Sequence, residues 1–212
     1  MASVGIFSFP AVEGAVPESK LHVAAAQDEV PAIRDLLSKG AAIDAKDDGG
    51  RTPLLVATHA NKIHAARALI EAGADVNAKD RINDSPYLYA GAHGYLDILK
   101  MTLVHGADLR STNRYGGTAL IPAAERGHVE TVRVLIEAGV HVDHINNLGW
   151  TALLEAIILG NGTDRHRHIV DLLVKANADV NLGDREGVTP LQHARARGYK
   201  EIEKILMMAG AR

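Results

Sequence analysis

The sequence predicts an all-α solenoid of six helix–turn–helix repeats with projecting hairpin loops, from two recurring positions and one period. Serine or threonine stands at Ser19, Thr52, Ser85, Thr118, Thr151 and Thr189, at spacings of 33, 33, 33, 33 and 38 residues. Glycine or asparagine stands at Gly40, Gly73, Gly106, Gly139, Asn177 and Gly210, in the same register. Between the two, apolar residues recur three and four apart, which is the period of a helix with one buried stripe.

The copy from Thr118 to Trp150 shows what each unit does. The Thr118 hydroxyl can accept a hydrogen bond from a backbone N–H of the turn it opens, so it is expected to cap a short helix over Ala119 to Arg126. Gly127 ends that helix, because glycine takes the left-handed conformation that an abrupt stop needs. A second, antiparallel helix is expected from about Val129 to Ala138, with Val129, Val132, Leu135 and Ile136 on one stripe and Gly139 closing it. Residues 140–149 mix Asp143, Asn146, Asn147 and Gly149 with single apolar residues, which is turn chemistry and reads as an extended hairpin or loop. A unit of about 33 residues cannot bury its own stripe, so copies must stack and merge their stripes into one core.

Taken in order, the chain opens with residues 1–18, where Gly5, Pro10, Gly14 and Pro17 break any period and a tail or adapter is expected. This stretch lacks the basic start of a signal peptide. Three of the later copies carry proline directly after the capping residue, at Pro53, Pro86 and Pro190, where its missing N–H costs nothing. The end copies are polar where the others are apolar: Lys200 and Glu203 in the last, Lys20 and Asp35 in the first. Six copies with wetted outer faces are therefore the expected extent of the repeat domain, 19–212, about 60 Å long if layers sit about 10 Å apart. The fifth copy is longer by five residues, in GNGTDRHRH at 160–168, expected as a surface loop between its two helices. That loop is either a second contact or anion site or a tolerated length change.

Composition excludes several functions. The chain has 212 residues, a formal charge of −3 and no cysteine, which removes disulfides, thiolate zinc sites and a cysteine nucleophile. No run of 18 apolar residues predicts a membrane span, and the slight acidity with no long basic run disfavours nucleic acid. His141 with His144, and His166 with His168, sit at spacings that can share a metal but fall short of four ligands, so no metal site is expected. No phosphate-binding glycine motif follows a strand, and no nucleophile sits beside a base and its orienter. A non-enzymatic, cofactor-free, monomeric cytoplasmic protein is the expectation.

Thr-Pro-Leu at 52–54 and 189–191, Gly-His at 127–128 and Gly-Ala-Asp-Val-Asn at 73–77 resemble the signature of the ankyrin repeat family, across residues 19–212. The resemblance implies hairpins projecting at right angles to the helix pairs, a concave face of hairpin tips and first helices, and a role in binding other proteins. Departures are Lys20, Ala119 and Ala152 where the family favours proline, and His22 as the one copy of its Thr-Pro-Leu-His histidine. They are expected to loosen first turns.

Carried over by position, the candidate contact face comprises Arg81, Ile82, Tyr89, Arg114, Tyr115, Glu125, Leu148, Trp150 and Glu155. Outward turn residues should be polar, yet Ile82, Tyr115, Leu148 and the single tryptophan stand there with Arg81 and Arg114, residue types that dominate interface energetics. Two readings of Trp150 stand side by side: a contact for a protein or peptide partner, or a staple that packs its own hairpin against the next helix. The rival function is a small-molecule or metal-binding protein using the same groove. On the partner-binding reading, replacing both Trp150 and Tyr115 with alanine abolishes partner capture in a pull-down while helical circular dichroism stays intact.

Overall fold

In the computed structural model, which describes residues 17–212, twelve helices follow one another as six antiparallel pairs. They are α1 (Pro17–Ala26) and α2 (Val30–Ser38), α3 (Pro53–His59) and α4 (Ile63–Glu71), α5 (Pro86–His93) and α6 (Leu96–Val104). The second half continues with α7 (Leu120–Glu125) and α8 (Val129–Glu137), α9 (Ala152–Ile158) and α10 (Asp164–Lys175), α11 (Pro190–Ala196) and α12 (Lys200–Met208). First helices stack on first helices and second on second, so two parallel rows share one core. That core runs the length of the stack, from Leu21 and Ile33 through Leu69, Leu99 and Leu135 to Leu173 and Leu206, all fully buried. Among the described residues there is no strand, and no helix is long and apolar enough to cross a membrane.

Three series of left-handed residues punctuate each repeat. Second helices stop at Gly40, Gly73, Gly106, Gly139, Asn177 and Gly210, with φ between 63° and 95°. First helices stop at Asp28, Asn61, Gly94, Gly127 and Gly198. Hairpin tips turn at Gly50, Asn83, Gly116, Gly149 and Gly187. Only glycine, asparagine and aspartate hold these positions, as the steric cost of a side chain at positive φ requires.

Each hairpin is built on one side chain. Asp47, Asp80, Asn113, Asn146 and Asp184 each accept the backbone N–H groups two and four residues ahead, at 2.8–3.1 Å. The backbone N–H of each also donates to the carbonyl four residues on. This Asx-type closure satisfies the loop without a strand ladder. Neighbouring hairpins are then tied together: Arg81 N–H donates to the Gly49 carbonyl at 3.1 Å and Asn147 N–H to the Tyr115 carbonyl at 2.9 Å. Asn77 clamps the next loop by donating to the Gly106 carbonyl and accepting from Asp108 N–H.

The caps follow expectation in four repeats and depart from it in two. Thr52, Ser85, Thr151 and Thr189 each accept a backbone N–H three residues on, at 3.2–3.3 Å. Thr118 does not; its helix starts one residue late, at Leu120, and its buried hydroxyl has no partner among the described residues. The missing proline at Ala119 is not the reason, since Ala152 occupies the same place and Thr151 still caps. The cause is Pro122. It has no N–H for the Thr118 carbonyl, so Ile121 N–H bonds that carbonyl at 3.3 Å instead of the hydroxyl. At the other departure α1 begins at Pro17, so Ser19 lies inside the helix and does not precede it. Of the expected tail over residues 1–18, Pro17 and Glu18 belong to α1 instead, and residues 1–16 lie outside the described residues.

The five added residues of the fifth repeat are also not simply a loop. The linker after α9 is longer, and α10 has 12 residues where each other second helix has 9. His166 in its first turn is 6% exposed, its ring nitrogens 3.0 Å from Asn161 Oδ1 and 2.8 Å from the Glu125 carbonyl. Tyr199 Oη donates to the Gly160 carbonyl and Arg197 to the carbonyls of Ile157 and Ile158. The insertion is pinned on both sides by the repeats that flank it.

The two threonines give a paired test of the cap. Thr151→Val removes a formed hydrogen bond and lowers stability by about 1 kcal/mol, whereas Thr118→Val removes an unpartnered buried hydroxyl and is neutral or stabilising. Urea denaturation of both variants reads the difference; equal losses would contradict the role given to Pro122.

Candidate functional site

The concave side is bounded by first helices below and hairpin tips above. Between them lies a groove of about 590 Å³ centred on the third to fifth repeats. Of the nine residues picked out by sequence, seven line it: Ile82, Tyr89, Arg114, Tyr115, Glu125, Leu148 and Glu155. Arg81 and Trp150 do not. Arg81 is exposed, its backbone tied to the preceding hairpin, and half-buried Trp150 closes its own turn by donating its N–H to Asn146 Oδ1 at 3.0 Å.

The rim is apolar. Ile82, Tyr115, Leu148 and Leu159 keep 47–55% of their surface in water, and Arg114 lies over the Tyr115 ring with its guanidinium carbon 4.9 Å from the ring centre. Ile82, Tyr115 and Leu148 are aligned because the hairpin closures place successive tips one above another, whereas Leu159 follows α9 at the end of a first helix.

The floor is polar and differs along its length. At one end Tyr89 is sandwiched between His59 and His93, with ring centroids 4.0 and 3.8 Å apart. Burial, aided by nearby Arg51 for His59, holds both histidines below the ordinary imidazole range, so the stack is uncharged at neutral pH. Asp84 beside it is shifted upward by burial and by Asp80. At the other end Glu125 closes α7 and Glu155 sits in the first turn of α9, 5% exposed, with Oε1 accepting from Asn146 Nδ2 at 2.7 Å. Arg126, next to Glu125, donates Nη1 to the Ala92 carbonyl at 2.7 Å.

Sequence reading missed His59, His93, Asn146, Arg126 and Leu159. Asn146 was findable, since Asp or Asn recurs at 47, 80, 113, 146 and 184 in the same register as the capping residues. The others end a first helix or directly follow one, and no residue type repeats there to draw attention. One histidine of each pair considered for metal serves the scaffold, and its mate, His141 or His168, is exposed: His144 Nε2 is 2.7 Å from the Gly116 carbonyl, and His166 is the buried pin of α10. Among the described residues no three histidine, aspartate or glutamate side chains are arranged to hold a metal ion.

A family model described as ankyrin repeats, in three copies, matches residues 13–80 and 87–182. Among curated proteins, the putative ankyrin repeat protein YahD of Escherichia coli K12 is 46% identical over 57 residues, 27% of this chain and 28% of that protein. The match thus spans little more than a quarter of that relative. Among solved structures, an ankyrin repeat domain from Acinetobacter baumannii AYE is 71% identical with a TM-score of 0.89, over 91% of this chain and 98% of that one. The ankyrin repeat protein EF0377 is 44% identical with a TM-score of 0.86, over 90% and 97%. The ankyrin repeat domain of Bcl-3, described as a unique member of the IkappaB protein family, is 29% identical with a TM-score of 0.82, over 91% and 86%.

Glu155 makes the floor sensitive to pH. Burial, then the neighbouring Glu125 carboxylate, push its pKa up to about 7. A carboxyl group raised on folding stabilises the fold fully below its unfolded value, and that contribution is lost as pH rises through the folded value. Glu155→Gln keeps the acceptor for Asn146 but cannot ionise. The variant is therefore expected to be more stable than wild type at pH 8, by on the order of 2–3 kcal/mol at most, and nearly equal to it at pH 4.5. Thermal melts across this range decide it; a gap independent of pH would show that Glu155 ionises freely in the fold.

Proposed function

This chain belongs to the ankyrin repeat family, and from that premise we propose that it is a non-enzymatic recognition module that holds an extended protein or peptide segment in its concave groove. Ankyrin repeats generally mediate protein–protein interactions and generally act as scaffolds without catalysis. The observation that carries the finer reading is the half-exposed row of Ile82, Tyr115, Leu148 and Leu159 above a largely polar floor. Single exposed apolar residues are ordinary, but a contiguous set rimmed by polar groups marks an interaction surface. Tyrosine and arginine stacked together, as Tyr115 and Arg114 are, supply contact area with little rotamer entropy to lose.

The scaffold suits such binding. Hairpins locked by their Asp or Asn closures and tied to one another hold the tips in place, so association costs little ordering of the groove. The rival reading, a metal or small-molecule site, gains little from these residues, because the groove's histidines are stacked on Tyr89 and its carboxylates are two to a cluster.

Panning a phage-displayed random peptide library against the immobilised chain tests the proposal. Tyr115→Ala and Leu148→Ala are each expected to weaken recovered peptides about tenfold or more. Arg133→Ala, on the second-helix face, is expected to leave them unchanged, and Trp150→Ala to weaken them less than Tyr115→Ala. Peptides that tolerate both groove changes but are lost with Arg133→Ala would move the binding face to the other side.

A further inference from the structure

We propose that the groove selects a segment carrying a lysine or arginine, whose cationic head enters between Glu125 and Glu155 while apolar neighbours in the segment rest on Tyr115 and Leu148. This rests on the reading that the groove holds a protein or peptide segment, and adds what that segment must contain.

Charge complementarity argues for it. Glu125 and Glu155 line the same end of the groove, and neither forms an ion pair with any described residue. The two arginines of the groove form no ion pair with them: Arg114 lies over Tyr115, and Arg126, although near enough to Glu155 to act on it electrostatically, donates to the Ala92 carbonyl. Glu155 is 95% removed from water, given its 5% exposure, yet only its Oε1 is engaged, by Asn146; Oε2 takes no hydrogen bond from a described residue. A nearly buried carboxyl group with one oxygen unengaged, beside a second carboxylate, matches a multidentate N–H donor bearing positive charge.

The surroundings fit the rest of such a side chain. Leu148 and Leu159 flank this end and are about half exposed, at 49% and 50%. The methylene stem of lysine or arginine can lie along them while its head reaches the carboxyl groups. An acidic residue at that place would meet the Glu125 carboxylate and, above about pH 7, an ionised Glu155 as well, so the pair rejects as well as attracts.

Three fluorescent peptide libraries of equal length, with lysine, alanine or glutamate fixed at the centre and degenerate flanks, are titrated with the whole chain and read by anisotropy. The lysine library is expected to bind about tenfold or more tighter than the alanine library, and glutamate weakest. In the isosteric Glu125→Gln, Glu155→Gln double variant the ratio of lysine-library to alanine-library affinity falls to about twofold or less. Circular dichroism melts confirm that the variant is folded. A lysine preference that survives the double variant, or a glutamate library that binds tightest, overturns the inference. Equal binding of all three, abolished by Leu148→Ala, overturns it and leaves the recognition function standing. No binding to any library overturns both.

Discussion

A helix nine residues long has an apolar flank that one short partner cannot cover. Every layer of this chain therefore depends on the layer beside it. Leu69, Leu99, Leu135 and Leu173 are fully buried only because each is covered by a neighbouring pair. The hydrophobic gain is thus collective, whereas the turns must be satisfied one by one. The chain meets the second demand with short-range devices: a hydroxyl at the start of most first helices, a left-handed residue at each stop, and one Asp or Asn inside each hairpin. Because every device repeats in register, tips and helix ends line up, and a concave face follows with no further instruction.

That division explains what was legible in the sequence. Four of the six starts, the six stops and the amphipathic second helices could be read because each is a local requirement that recurs in register along the chain. Seven of the nine nominated residues line one groove for the same reason: position in the repeat fixes which side of the stack a residue faces. Less legible were effects joining two positions within a turn or two repeats. Pro122 disables the Thr118 cap from four residues away, although both residues are ordinary in isolation. His166 looks like a loop histidine until Glu125, from the preceding repeat, is seen to supply its carbonyl. Trp150 was singled out for its residue type, yet its backbone does the same turn-closing work as Arg51, Asp84, Gly117 and Val188 in the other hairpins.

The groove departs from the economy of the rest. A scaffold alone would have no need of a nearly buried glutamate next to another glutamate, nor of half-exposed isoleucine, tyrosine and leucine at loop tips. Desolvating Glu155 works against folding at neutral pH, and the apolar rim gains nothing until it is covered. Costs without a structural return are where natural proteins place function, and here they fall within one surface spanning three repeats.

The enlarged fifth repeat has a different consequence. Five residues are accommodated there, three of them as added helix, and the next unit still takes its seat, with Asp184, Gly187 and Thr189 in the relations their counterparts keep elsewhere. Because seating depends on contact with the adjacent layer and not on distance along the chain, the corner between α9 and α10 is an expansion joint. Sequence can be lengthened at that corner without transmitting a shift to either end of the rod.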